Sequence, residues 1–161
     1  MRDRRYTQPA IQQPLPKIIG FYTEDGKTMR PELLDSDARA LGGAFAEIRQ
    51  RKKGPHYVSS TQLRRYYNDV KQLQFKIERD LKEKKDSDDP EALKEYLPLI
   101  KMLKAKVAYG TRPGTVERVS PKFQETIDDC VGLIKRPKDF QAFVLFFESI
   151  VGYYYGAGGG K

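Results

Sequence analysis

Clustered cations are the residues of this chain best suited to do chemistry. The segment from Arg49 to Lys85 holds 12 basic and four acidic residues, and the segment from Lys101 to Lys122 holds six basic and one acidic. An acidic segment, Asp86 to Glu95, separates them. Lysine and arginine concentrated in this way bind phosphates, so two blocks with net charges of +8 and +5, in a chain of net charge +8, predict a nucleic-acid partner. The alternative is that these cations are solvated helix faces without a partner.

The candidate nucleic-acid contacts are the cations of these two blocks that flank predicted helices. They are Arg51, Lys52, Lys53, Arg64, Arg65, Lys71, Lys101, Lys104, Lys106 and Arg112. Aromatic residues lie between them, and stacking on bases is one use for such rings. Tyr66 and Tyr67 fall on an apolar helix face and are expected to be structural, whereas Phe75 falls on the polar side.

Other chemistries are disfavoured by composition. His56 is the only histidine and Cys130 the only cysteine, which disfavours a zinc site and a Ser-His-Asp triad and excludes an internal disulfide. Cys130 lies on an apolar helix face, so we expect a small core residue. The run from Gly110 to Gly114 lacks the spacing of a phosphate-binding loop and follows a helix. No cofactor and no catalytic activity are predicted.

The clearest helix start is at Ser59. Ser59 and Gln62 form a capping box, which predicts a helix from about Ser60 to Lys84. Arg64, Lys71 and Lys82 lie along one flank of its apolar face, and this spacing predicts a cationic edge.

Four further helices are predicted around it. The first starts at Asp35 or Ser36 and runs to about Arg51, with Ile48 facing inward. The third starts at the Asp89-Pro90 cap and is expected to kink or break near Tyr96 because of Pro98. The fourth starts at Ser120-Pro121, and the fifth covers about Lys138 to Tyr155.

These helices predict an all-α fold, a compact bundle of about five helices. Its expected organisation is an extended or disordered arm over residues 1–34, a helical domain over 35–155 and a flexible tail over 156–161. No run approaches the length of a membrane span and the amino terminus lacks a signal peptide, so we expect a cytoplasmic protein.

Some apolar surface exceeds what a small bundle can bury. The fifth helix is apolar around most of its circumference and the third carries a second apolar face. We therefore expect self-association, with these candidate interface residues: Phe75, Leu99, Met102, Tyr109, Phe146 and Tyr153.

Three motifs resemble a known family. They are Ser-Thr-Gln-Leu-Arg at 60–64, the run from Leu103 to Tyr109 leading to Arg112, and Asp139-Phe140 followed by the run from Phe146 to Tyr154. Together, over about Tyr57 to Tyr155, they resemble the small subunit of type III-A CRISPR effector (Csm) complexes. Gly110-Thr111 replaces the Ala-Gly common in that family, and Gly152 replaces an alanine.

The resemblance implies a non-catalytic, helical RNA-binding subunit of an antiviral ribonucleoprotein complex. Several copies would tile along the guide RNA and its target, in contact with the backbone subunit and the large signalling subunit. By motif position, Arg64, Lys104, Lys106 and Arg112 would contact RNA. Phosphate contacts of this kind are independent of sequence. The alternative is a stand-alone helical DNA-binding regulator, against which the two long central helices argue.

Overall fold

Helices dominate the chain, and the predicted all-α fold is confirmed. The computed structural model describes residues 14–82, 88–112, 114 and 119–160. The elements in that part of the chain are a π-helical turn, Leu33–Asp37, the helices α1 (Ala38–Ala46), α2 (Ser60–Asp80), α3 (Pro90–Lys94), α4 (Leu97–Gly110), α5 (Pro121–Leu133) and α6 (Pro137–Gly156), and the strands β1 (Ile48–Arg49) and β2 (Lys52–Lys53).

Local capping explains why the helices begin where the sequence predicts. Ser59, Asp89 and Ser120 each accept a hydrogen bond from a backbone N–H of the first turn, at 3.2, 3.0 and 3.2 Å. Each bond satisfies a donor that the helix itself cannot pair. These three predicted starts are confirmed.

The end of the first helix was predicted wrongly. α1 stops at Ala46, and the chain turns into the antiparallel pair β1–β2 instead of continuing to Arg51. Gln50 and Arg51 form the two-residue turn with φ of 50° and 64°, a conformation uncommon for residues other than glycine. Ile48, expected to face inward, is 48% exposed on the hairpin.

The predicted third helix is two helices, and the expected break near Tyr96 is confirmed. α3 ends at Lys94 and α4 begins at Leu97. At the break, the Tyr96 hydroxyl donates a 2.7 Å hydrogen bond to Asp80 at the end of α2. This bond lowers the pKa of Asp80, while burial and then the same bond raise the pKa of Tyr96 to about 12. The hydrogen bond therefore anchors the break, just before α4, to the end of α2.

α6 lies at the centre of the bundle and contacts α1, α2, α3 and α5. α1 approaches α6 closely at Gly42, where a Cβ atom would lie 2.7 Å from the carbonyl oxygen of Ile150. The largest fully buried side chains include Phe45, Phe123, Phe143, Phe146, Phe147 and Tyr154. Burying rings of this size stabilises the fold by roughly 1.5–3 kcal/mol each.

Both ends of the described chain pack on this bundle. Residues 1–13 of the predicted arm lie outside the described residues, but Ile18 and Phe21 are buried and the Tyr22 hydroxyl donates to the Lys138 carbonyl at 2.7 Å. At the other end, the glycine-rich segment forms hydrogen-bonded turns, with the Gly159 N–H donating to the Tyr154 carbonyl at 2.9 Å. The described parts of the expected arm and tail, residues 14–34 and 156–160, thus make contacts with the rest of the chain or form hydrogen-bonded turns.

Cys130 is fully buried, and burial raises the pKa of its thiol far above the ordinary range. The thiol is therefore a poor nucleophile, and the prediction of a core residue is confirmed. In the part of the chain that the structure describes, no cluster of histidine, cysteine and acidic side chains could hold a metal ion. None of the described helices is long and apolar enough to cross a membrane.

Candidate nucleic-acid interface

A cleft between α2 and α4 brings three of the predicted cations together. Its volume is about 690 Å³. We call it the α2–α4 cleft, and its lining residues are Gln62, Arg65, Tyr66 and Asp69 from α2, Met102, Ala105, Lys106, Tyr109 and Gly110 from α4, and Arg112 just beyond α4.

Tyr66 forms the inner wall and joins the two helices. Its ring is buried, and its hydroxyl donates a 2.9 Å hydrogen bond to the Lys106 carbonyl oxygen. A Cβ atom at position 110 would collide with that hydroxyl, which accounts for Gly110. This glycine thus permits helix packing and is not part of a phosphate-binding loop. The expectation that Tyr66 is structural is confirmed.

The charge of the cleft is predominantly positive. Arg65, Lys106 and Arg112 are exposed cations, and among the lining residues that the structure describes Asp69 is the one carboxylate. Lys106 and Asp69 form an ion pair at 3.1 Å. Because α4 contains no acidic residue, the cations along this side of α2 are not neutralised by the facing helix. An anion would be attracted to this surface.

A second cavity extends the cleft along the same two helices. Its volume is about 230 Å³, and it shares Asp69, Met102 and Lys106 with the first. Lys76 adds a further cation, 3.9 Å from Asp80. The two cavities together follow the seam between α2 and α4.

An aromatic and apolar wall lies within this cationic cleft. The Tyr109 ring is 66% exposed, and the Arg112 guanidinium carbon lies 3.7 Å from its centroid. Arg112 also donates a 2.7 Å hydrogen bond to the Tyr109 carbonyl oxygen. Met102, two turns earlier on α4, is 53% exposed. These contacts hold Arg112 at the mouth of the cleft.

Two other predicted cations of α2 face a different helix. Lys71 forms a 2.7 Å ion pair with Glu148 of α6, a bond that raises the pKa of the lysine. Arg64 lies 3.5 Å from the Tyr155 hydroxyl at the end of α6. Contacts with α6 thus interrupt the predicted continuous cationic edge at Arg64 and Lys71. The spacing along α2 does not reveal which neighbouring helix each flank meets.

The lysines on the opposite side of α4 face α5. Lys101 lies 3.5 Å from the Val131 carbonyl oxygen, near the end of α5, where the helix dipole favours a cation. Lys104 is half-buried and counteracts part of the pKa increase that burial causes at Asp128. Both lysines therefore have structural contacts outside the α2–α4 cleft.

The remaining predicted cations lie on the β1–β2 hairpin. Arg51, Lys52 and Lys53 are all exposed, and Lys53 lies 5.2 Å above the ring of Tyr57. A first helix running to about Arg51 would place these cations at its C-terminus, where the helix dipole favours positive charge. Because α1 ends at Ala46, the dipole does not explain them.

The predicted interface residues do not form one surface. Phe75 is 75% exposed and Leu99 39% exposed, while Met102 and Tyr109 line the cleft. Tyr153 is half-buried beneath Arg39, whose guanidinium carbon lies 4.9 Å from the ring centroid. Phe146 is only 1% exposed, so the expectation that it faces another subunit is wrong. Neighbouring helices of the same chain cover most of α6, while Leu145 remains 47% exposed.

Sequence reasoning missed several lining residues, namely Gln62, Asp69, Lys76 and Ala105. On α2, positions 62, 65, 69, 72 and 76 recur at intervals of three or four, as do 102, 105 and 109 on α4. Such spacing places side chains on one helix face beside the core-facing residues. That periodicity was the signal available in the sequence.

Comparison with known proteins decides the family. The sequence matches the family described as Csm2 Type III-A over residues 30–159. The chain belongs to the Csm2 family. It is therefore a small subunit of a type III-A CRISPR effector complex, as the motifs predicted, and the alternative of a stand-alone DNA-binding regulator loses its support. Searches among curated proteins and among solved structures found no match.

Proposed function

We propose that this Csm2-family subunit binds RNA without catalysing a reaction, through phosphate contacts that are independent of sequence. The α2–α4 cleft is the principal contact surface. The observation that carries the proposal is the convergence of Arg65, Lys106 and Arg112 on one open cleft, whose described lining includes one carboxylate, Asp69.

The neighbouring contacts rank the candidate residues. Arg65 and Arg112 are exposed at the cleft, and Lys106 retains an exposed ammonium group despite its pairing with Asp69. Lys71 is the weakest candidate, because Glu148 already neutralises it at 2.7 Å. The exposed hairpin cations Arg51, Lys52 and Lys53 supply a second, separate contact.

Sequence-independent contact would let copies of the subunit tile along a guide RNA and its target. Base pairing reads the sequence, so the subunit needs only the regular spacing of phosphates. Repeated copies would meet through exposed apolar side chains such as Phe75 and Leu99, and heterologous contacts of this kind produce filaments. The backbone and large signalling subunits are the further proposed partners, in a complex that acts in antiviral defence.

No described group in the cleft suggests catalysis. The polar side chains of its described lining are three cations, one carboxylate, one amide, the exposed Tyr109 hydroxyl and the buried Tyr66 hydroxyl, which already donates to a carbonyl. A nucleophile held by a general base is not among them. The proposal of a binding subunit rests on this composition together with membership of the family.

The test is a titration of equal-length single-stranded RNAs with scrambled sequences at several salt concentrations. Affinities should agree within a few-fold among sequences and fall steeply with salt. Arg65→Ala should weaken binding, whereas Lys27→Ala, which removes an exposed cation far along the chain on the Tyr22–Met29 hairpin, should not. A strong sequence preference or a flat salt response would contradict the proposal.

A further inference from the structure

The cleft contains more than phosphate binding requires. Cations alone suffice to bind a polyanion, yet the exposed ring of Tyr109 and the exposed side chain of Met102 lie between them. Exposed aromatic surface within a cationic cleft is how proteins hold the bases of single-stranded nucleic acids.

We propose that the α2–α4 cleft takes up one unpaired nucleotide of the RNA. Its base lies against Tyr109, Met102 and Ala105, while its phosphates are bound by Arg65 and Arg112. This inference rests on the proposed function, because the nucleotide belongs to the RNA strand that the cations attract. A base held here would be splayed out of the guide-target duplex or lie in a single-stranded segment.

The size of the cleft agrees with such a ligand. Sites for small organic ligands measure about 300–1,000 Å³, and the cleft has about 690 Å³. Arg112 covers part of one face of the Tyr109 ring at 3.7 Å, and the ring remains 66% exposed. A base can therefore stack on the aromatic side chain without displacing the arginine.

The polar groups provide for both parts of a nucleotide. Lys106 and Asp69 form an ion pair at 3.1 Å, and the guanidinium groups of Arg65 and Arg112 at the cleft supply the donors for phosphate. The Asp69 carboxylate also offers an acceptor for the exocyclic amino group of a base, and the Lys106 ammonium offers a donor. Mutual pairing of these two groups leaves the apolar wall free of net charge.

Removing the bases from the ligand separates this inference from the proposed function. The probes are a short unstructured RNA and a fully abasic ribose-phosphate strand of the same length and charge. The full chain should bind the RNA about tenfold more tightly or better, because stacking on an aromatic side chain strengthens binding at each base. Both affinities should fall with salt.

Filling the cleft tests the location of the base. Ala105→Trp places a bulky ring among the lining residues and should reduce the affinity for RNA to that for the abasic strand. Ala108→Trp, at an exposed position of the same helix outside the lining, is the matched control and should leave the preference unchanged. Tyr109→Ala should abolish the preference and Tyr109→Phe should retain it, with circular dichroism used to verify folding.

Three results would overturn the inference. Equal, salt-dependent affinity of the full chain for both strands would exclude the base site and leave the proposed function intact. If the full chain binds neither strand, both this inference and the proposed function are refuted. Loss of self-association in Tyr109→Ala, measured by light scattering, with the base preference unchanged, would instead assign the wall to a second copy of this chain.

Discussion

The two flanks of α2 show how one helix can present cations that are neutralised and cations that stay available. Toward α6, Lys71 meets Glu148 at 2.7 Å, and the rings of Tyr67 and Phe147 lie 6.4 Å apart. Toward α4, the helices separate into a cleft of about 690 Å³. The difference arises because α6 supplies an acid opposite the lysine, whereas α4 contains none.

This difference teaches that the number of cations on a helix does not define a binding surface. The acidic residues of the facing helix decide which cations remain available. For this chain, the flank that faces the lysine-rich α4 is the one suited to an external anion.

The largest effect is expected on the closed flank. Phe147 is 1% exposed, and its ring lies 6.1 to 6.4 Å from those of Phe143, Phe123 and Tyr67. Phe147→Ala should lower the free energy of unfolding by about 3–5 kcal/mol, because the fold cannot close the resulting cavity fully. Urea denaturation followed by circular dichroism measures the change.

The matched substitution on the open flank is Tyr109→Ala. It should change the free energy of unfolding by about 0.5 kcal/mol or less, as usual for an exposed side chain. If both variants lose a similar free energy of unfolding, the cleft is closed in solution and the contrast between the two flanks of α2 is refuted.

A smaller effect concerns alkaline pH. Burial raises the pKa of Tyr154 from its ordinary 10.0 to about 12, and its hydroxyl donates to the Val58 carbonyl at 2.8 Å. The folded state therefore retains this proton more tightly than the unfolded chain. Its contribution to stability is complete below pH 10 and disappears as pH rises toward 12.

Tyr154→Phe should lower stability near neutral pH by about 1 kcal/mol, the usual value of one hydrogen bond. It should also reduce the slope of stability against pH between 10 and 12. Unfolding titrations at closely spaced pH values measure both quantities. An unchanged slope would mean that Tyr154 is not buried as described.

The smallest effect is the coupling of Lys71 and Glu148. Both side chains are about one-third exposed, so solvent screens their attraction and a double-mutant cycle should give about 0.2–1 kcal/mol. Lys71→Ala should correspondingly leave RNA affinity nearly unchanged. If Lys71→Ala loses as much RNA affinity as Arg65→Ala, Lys71 belongs to the RNA-binding surface.

Local interactions made much of the fold predictable. Ser59, Asp89 and Ser120 accept from N–H groups two or three residues away, so sequence alone locates the starts of α2, α3 and α5. The end of α1 was not predictable in this way. It depends on Gln50 and Arg51 adopting positive φ values, which no glycine signals.

The candidate site was predictable only as a set of cations. Lys106 and Arg112 are positions that the family motif indicates, and the structure places both in the cleft with Arg65. Arg64 and Lys71 face α6, whereas Arg65 faces α4. This division results from packing against α6 residues that lie about 80 to 90 positions further along the chain. The pattern along one helix holds no information about such contacts.

The most direct test compares two double variants that remove the same charge from opposite flanks of α2. Arg65→Gln/Arg112→Gln affects the cleft, and Arg64→Gln/Lys71→Gln affects the α6 side. The measurement is the slope of log affinity against log salt for one single-stranded RNA. Each lost phosphate contact should reduce the slope by about 0.7. The cleft variant should therefore lose roughly 1.4 and the α6-side variant close to zero, whereas equal losses, or a larger loss on the α6 side, would contradict the account.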